Sequence, residues 1–547
     1  MDDYRLPGTA ATGQSSALGL RLMLAFDGYE PPAYIERWIA ARALAGFTLF
    51  RGLNVQNAAQ VRRLTTQLQR AFAAAGQGSD DRVLLIAADQ EGGQFLALGD
   101  ETTPFPGNMA LGATRDADLA RRVGHAMGRE LAAVGVNVNY APVCDVNSNP
   151  QNPNVGTRAF GDDPHLVAEL GAAMIHGLQQ AGVAATAKHF PGNGDSGVDP
   201  HFGVPSLPHT RAQLDAGAFK PFRAAIEAGA KVMMSAHVAL PQLTGCADLP
   251  ATLQRELMDH LLRGEMGFEG LLISDAMDMK ALSQGAGQIV DALAALRAGI
   301  DVLLLTAGEE TQERLYQGLQ LALSRRLLSA SSVRRAAARV LSLQQWLSSQ
   351  SRPALHVVGS SDHRRLAQQV AEQSITLLRD EARLLPLELA PESRIALVLP
   401  RPADLTPADT SSYVEPCLAS ALRAFHPRVH EFVTSNPPED DEIAALREKL
   451  PAFDLLILVT LSASMQPAQA TLARECLALD ISTITVAART PYDLAVYPQA
   501  QTHLCTYGIQ PPSMQALAAA LFGRAPLRGR LPVTIPDLYA LGHGLAI

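Results

Sequence analysis

Between Leu18 and Trp346 the chain alternates eight short apolar runs with eight amphipathic ones. The apolar runs are Leu20–Phe26, Gly46–Arg51, Val83–Ala88, Val136–Pro142, Val183–His189, Lys231–His237, Gly270–Ser274 and Asp301–Thr306. Their length and composition suit buried strands. The stretches between them space apolar residues at helical intervals: Ile35–Leu44, Ala58–Ala75, Ala117–Val134, Leu166–Ala181, Arg211–Ala228, Leu253–Leu262, Ile289–Ala298 and Glu309–Leu323. Repeated strand–helix units pair their strands in parallel, and eight of them close into a TIM (β/α)8-like barrel. An open doubly wound sheet is the other arrangement open to such a chain. No Gly-x-Gly-x-x-Gly follows the first run, which weighs against it.

At 547 residues the chain exceeds what one barrel needs, so a second unit is expected. The polar stretch Ser348-Ser349-Gln350-Ser351-Arg352-Pro353, followed by Gly359-Ser360-Ser361, reads as a linker. The division this suggests is a catalytic barrel over 1–346, a linker over 347–361 and a second α/β sandwich domain over 362–547. In that last part, Ile395–Leu399, Leu455–Thr460 and Thr483–Ala487 read as strands, and His363–Asp380, Val414–Phe425, Asp441–Lys449 and Ala468–Leu479 as helices.

Composition narrows the class. Apolar residues make up 47% and charged ones 18%, so burial is ample and disorder is not expected. A net charge of −9 without a basic block argues against a nucleic-acid partner. No run reaches the roughly 18 apolar residues of a membrane helix. Cys144, Cys246, Cys417, Cys476 and Cys505 are scattered and odd in number, which suits a reducing compartment. The start, with Asp2, Asp3 and Arg5, lacks the basic-then-apolar pattern of a signal peptide. The expectation is a cytoplasmic protein, monomer or homodimer, acting on a small molecule.

Polar residues gather just after the expected strands. Asp89-Gln90-Glu91-Gly92-Gly93 follows the third, Asp145-Val146-Asn147-Ser148-Asn149-Pro150 the fourth, Lys188 and His189 close the fifth, His237 ends the sixth, and Ser274-Asp275-Ala276-Met277-Asp278 follows the seventh. In a barrel these ends share one mouth, which is where such folds place their chemistry. The densest stretch is Lys188–His201, with two His, two Asp, one Lys, three Gly and two Pro in fourteen residues. Pro200 between Asp199 and His201 is expected to hold the loop extended there, with the two side chains leaning together. A carboxylate beside an imidazole fixes its tautomer and raises its pKa, as a general acid/base requires.

Singly, each residue has two readings. Asp275, at the edge of an apolar core, reads as a nucleophile or, with Ser274, as a helix N-cap. Asp89 reads as an acceptor for substrate hydroxyls or as a turn cap with Gly92-Gly93. Arg158 reads as a bidentate holder of a polar group or as a partner of Asp162 or Asp163. His189, His201 and His237 lack His-x-x-x-His or His-x-His spacing, so no metal and no cofactor is expected.

Taken together, Asp89-Gln90-Glu91-Gly92-Gly93, Gly156-Thr157-Arg158-Ala159-Phe160-Gly161, Lys188-His189-Phe190-Pro191-Gly192, Asp199-Pro200-His201 and Ser274-Asp275-Ala276-Met277-Asp278-Met279 resemble glycoside hydrolase family 3, in its β-N-acetylglucosaminidase branch. The tail Gly529-Arg530-Leu531-Pro532-Val533-Thr534-Ile535-Pro536, with Gly542-His543-Gly544-Leu545, is similar to the end of that family's second domain. The resemblance implies that Asp275 is the nucleophile, that Asp199 and His201 form the acid/base pair, and that Asp89, Arg158, Lys188 and His189 hold the non-reducing sugar. The chain departs from the branch at three places: Asn193 stands where a His is usual, Gln94 where an Arg is usual, and Pro200 replaces a small hydroxyl residue. The activity implied is retaining hydrolysis of terminal β-linked GlcNAc. A phosphorylase or a β-glucosidase of the same family is the alternative, and a sugar-binding protein without catalysis a third reading.

Overall fold

The structure, a computed structural model, describes residues 17–77 and 81–546. Asp2, Asp3 and Arg5 lie outside the described residues. Eight parallel strands close a barrel: β1 (Leu22–Ala25), β2 (Gly46–Thr48), β3 (Leu85–Ala88), β4 (Val138–Asn139), β5 (Ala184–Phe190), β6 (Val232–Ser235), β7 (Leu271–Ala276) and β8 (Val302–Ala307). Neighbours in sequence are neighbours in the barrel, and β1 pairs with both β2 and β8. Strands covered on both faces need continuous apolar runs, and β1, β3 and β6 are buried throughout.

Each expected strand overlaps an observed one, and β5, β7 and β8 run one or two residues further. The fourth shortens most, because Pro142 has no N–H to give the ladder. The chain beyond β4 stays beside β5 through Thr186 N–H to the Ala141 carbonyl at 2.9 Å and Lys188 N–H to the Pro142 carbonyl at 3.2 Å. The stretch read as one helix over Arg211–Ala228 is two, Arg211–Ala216 and Phe219–Glu227. Pro221 breaks it, since its ring excludes the bond to the carbonyl four residues back, at Gly217.

At the N-terminal ends of the strands, buried Asp301 gathers arginines. Arg263 reaches its carboxylate at 2.6 Å and Arg339 at 3.0 Å, while Arg21 donates to its backbone oxygen at 2.9 Å. This ionic cluster closes the bottom of the barrel, away from the mouth.

A further helix, Ala330–Ser348, lies against the barrel with Val333, Ala337, Val340, Leu343 and Leu347 buried along one face. Beyond it stands a second sheet of six strands: β9 (Thr376–Asp380), β10 (Ile395–Pro400), β11 (Val429–Thr434), β12 (Leu455–Thr460), β13 (Ser482–Ala487) and β14 (Thr502–Cys505). Their order is β9-β14-β13-β12-β10-β11, all parallel except β9 against β14. The helix expected over His363–Asp380 stops at Ser374, and Thr376–Asp380 becomes the antiparallel edge strand. Pairing with β14 overrides the local helical pattern there. The helix expected over Val414–Phe425 is confined to Leu418–Arg423, because Pro416 bars an earlier start to a continuous ladder.

Candidate active site

The mouth of the barrel opens into a cavity of about 630 Å³, within the usual range for small-molecule sites. Asp89, Arg158, Lys188, His189, His201 and Asp275 all line it, and Asp199 lies directly behind His201. The structure therefore brings all seven candidate residues together.

One side of the cavity is a bed of paired charges. Lys188, from β5, reaches Asp89 and Glu91 at 2.6 Å each, from the segment after β3. Arg158 grips Glu91 bidentately, Nε to Oε2 at 2.9 Å and Nη2 to Oε1 at 2.8 Å. Arg158 thus pairs with Glu91 and not with Asp162 or Asp163. Burial pushes the Glu91 carboxyl up, but Arg158 and Lys188 outweigh it and hold it down at about 2. Burial also pushes Lys188 down, and Asp89 and Glu91 more than restore it. Asp89 fares differently: burial, with the charge of Glu91 beside it, exceeds the pull of Lys188 and leaves it above the ordinary carboxylate range. It is the member of the bed with most to gain from donors such as sugar hydroxyls.

His189 closes this side. Its Nδ1 lies 2.7 Å from Asp145 Oδ2, and the other oxygen of Asp145 accepts the Asn193 amide at 2.7 Å. Asp145 is fully buried and fixes both the ring and the start of the loop that leads to Asp199. Asn193 enters through its backbone; its side-chain oxygen is buried without a protein partner.

Asp275 belongs to β7 itself, not to a helix start, so the N-cap reading does not hold. Its Oδ1 accepts the Ala276 amide at 2.8 Å. Burial pushes its carboxyl up, but His189, His237 and His201 together with that amide leave it lowered, so it is ionised at neutral pH. His237 stands at the end of β6 with Nε2 3.1 Å from the Ala276 carbonyl oxygen, which only an N–H can satisfy. Burial lowers its pKa, and it pins the backbone beside Asp275.

Asp199 and His201 sit in a turn and not in an extended strand. Phe202 N–H closes on the Asp199 carbonyl at 2.9 Å, with Pro200 in the position that a proline presets. Asp199 Oδ1 accepts the His201 amide at 2.9 Å and lies 2.7 Å from His201 Nδ1. Burial raises the Asp199 carboxyl, yet its bonds from His201 lower it on balance, so it stays an acceptor. Nδ1 of His201 therefore carries hydrogen, and Nε2 is left for the cavity.

Asn154 joins the two sides, and sequence reasoning missed it. Its Oδ1 accepts from Arg158 Nη1 at 2.7 Å and its Nδ2 donates to Asp199 Oδ1 at 3.1 Å. The available signal was its place four residues before Arg158 in an Asn-rich loop. The share of the second domain in the cavity was missed as well. Its segment 404–413, after β10, lends Asp404, Pro407, Ala408, Asp409, Thr410 and Tyr413 to the cavity wall. Arg489, after β13, holds that segment by reaching Asp409 at 2.8 Å and Gln94 Oε1 at 2.6 Å. Thr410 bonds the Gln94 backbone oxygen through both amide and hydroxyl. Gln94 thus receives a guanidinium from the second domain.

The profile of the glycosyl hydrolase family 3 N terminal domain matches residues 19–343. The chain belongs to glycoside hydrolase family 3. It is 30% identical to Beta-hexosaminidase A of Pseudoalteromonas piscicida, over 95% of this chain and 97% of that one. It is also 30% identical to a Beta-N-acetylglucosaminidase/beta-glucosidase of Cellulomonas fimi, over 89% of each chain. Among solved structures it resembles a family 3 beta-N-acetylglucosaminidase from Paenibacillus sp. str. FPU-7, with a TM-score of 0.89, 33% identity, and 96% of this chain and 99% of that one covered. As a family 3 member the protein is a glycoside hydrolase, and its two-domain fold is that of the Paenibacillus structure. Among the described residues, no helix is long and apolar enough to cross a membrane.

Proposed function

We propose that the protein is a retaining exo-β-N-acetylglucosaminidase that removes terminal β-linked GlcNAc from chitooligosaccharides or peptidoglycan fragments. One observation carries the reading: an ionised Asp275 and a His201 oriented by Asp199 line the same cavity. In the first step His201 Nε2 gives its proton to the glycosidic oxygen while Asp275 attacks the anomeric carbon. The C–O bond to the leaving group breaks, and an ester to Asp275 forms through an oxocarbenium-like transition state. Neutral His201 then takes a proton from water, the water oxygen attacks the same carbon, and Asp275 departs with configuration retained. Asp199 keeps the imidazole in one tautomer and balances its charge. Asp89, Arg158, Lys188 and His189 hold the hydroxyls of the terminal sugar.

The names of the relatives support the choice of sugar, and the dual name of the Cellulomonas protein makes the β-glucosidase the competing reading. Release of nitrophenol from the β-N-acetylglucosaminide, at a kcat/KM at least about tenfold above that on the β-glucoside, supports the first; the reverse order rejects it. A neutral imidazole does not repel an incoming anion as a carboxylate does, so phosphate is a rival for water. Formation of GlcNAc-1-phosphate in phosphate buffer would overturn the hydrolase reading. All five cysteines are free, which supports a reducing, cytoplasmic setting. The division we propose is a barrel over 1–346, a linker over 347–361 and a second domain over 362–547.

A further inference from the structure

We infer that Phe202 is the platform for the departing half of the substrate, and that this half is a second pyranose whose C–H face stacks on the Phe202 ring. The inference rests on the reading of His201 as proton donor. A donor must lie against the glycosidic oxygen, so the group that leaves with that oxygen lies on the donor's side of the cavity. Asn154 stands between the Asp199–His201 pair and the charged bed, bonded to Asp199 at 3.1 Å and to Arg158 at 2.7 Å. Phe202 follows His201 directly and lines the same cavity, yet the residue is 62% exposed. A large apolar ring left open inside a ligand site is a surface to be covered.

One contact reaches the ring and another holds the turn that carries it. The Lys280 ammonium lies 5.6 Å from its centroid, in range of a cation–π attraction. Lys280 belongs to the segment after β7 that follows Asp275, and Ala281 N–H in that segment bonds the Pro200 carbonyl at 3.2 Å. The segments carrying nucleophile and acid/base thus meet at this ring. A flat ring fixed beside the donor matches the apolar face of a sugar, while the charged bed matches hydroxyls.

The test compares two substrates with the same glycosyl group: a β-linked GlcNAc disaccharide, and β-N-acetylglucosaminyl azide, whose leaving group is small and needs no proton. Phe202→Ala is expected to lower kcat/KM on the disaccharide about tenfold and to leave the azide within about twofold. Phe202→Trp restores the disaccharide rate, and Lys280→Ala shows a smaller loss of the same kind. Equal losses on both substrates would assign the ring to the support of the dyad and overturn the inference. No loss on either would overturn it too. A wild-type protein that cleaves neither compound overturns the GlcNAc-hydrolysing reading itself, an outcome distinct from both.

Discussion

The two sides of the cavity solve opposite problems. On the charged side Lys188, Glu91 and Arg158 have side-chain exposures of 1%, 1% and 3%, and each charge has its counter-charge in contact. On the acid/base side His201 is 25% exposed, and Asp199 Oδ2 is buried with no protein partner. The first side is electrostatically closed, so it keeps its protonation and its shape while hydroxyls come and go. The second is left incomplete, which suits the proton transfer proposed for it. The contrast teaches that the density of ionic contacts marks where substrate is held, and their incompleteness marks where a proton moves.

The sharpest break in this contrast is removal of the proposed nucleophile. Asp275→Asn is expected to lower kcat by at least about 10³-fold with the fold intact, measured by steady-state kinetics and circular dichroism. Next is His201→Ala, which loses about 10²–10⁴-fold on sugar leaving groups and far less on the azide. Its partner substitution on the closed side, Glu91→Gln, acts on folding instead. It leaves Lys188 and Arg158 short of an anion and is expected to cost about 3 kcal/mol in urea unfolding. The pH sign follows from the depressed carboxyl. Its stabilisation is fully present above the unfolded value of 4.5 and is lost as pH falls towards the folded value of about 2. The stability gap between wild type and Glu91→Gln should therefore be flat above pH 4.5 and shrink below it.

Asn154→Ala cuts the link between the sides. Loss of its bond to a charged acceptor is expected to lower kcat about tenfold, with a smaller change in KM. The smallest effect expected is that of Arg489→Lys, which keeps the charge on Asp409 but loses the fork to Gln94. It should raise KM a few-fold, roughly twofold to fivefold, with kcat unchanged.

Much of this was legible in the sequence, for identifiable reasons. Strands buried on both faces announce themselves as continuous apolar runs, which made β1 to β8 readable. Polar residues at their C-terminal ends pointed to a shared mouth, and Asp89, Lys188, His189 and Asp275 do meet there. What stayed hidden depends on contacts distant in sequence. Glu91 looks like any loop acid until Arg158, 67 residues on, closes over it. Gln94 reads as a loss of charge until Arg489 arrives from the other sheet. The turn at Asp199-Pro200-His201 was misread because proline permits both an extended chain and a turn, and the bond from Phe202 to the Asp199 carbonyl decides between them. Strands β9, β11 and β14 were missed; β9 and β11 are the two edges of the sheet and β14 has only four residues, so their structure depends on pairing more than on local pattern.

The account turns on a covalent bond between sugar and Asp275. Incubation with a 5-fluoro-β-N-acetylglucosaminyl fluoride, digestion and peptide mass mapping measure it directly. The account predicts one added glycosyl group on the peptide that contains Ser274-Asp275-Ala276, and none on the Asp275→Asn variant. A label on any other carboxylate, with Asp275 unmodified and the wild-type enzyme inactivated, would contradict it.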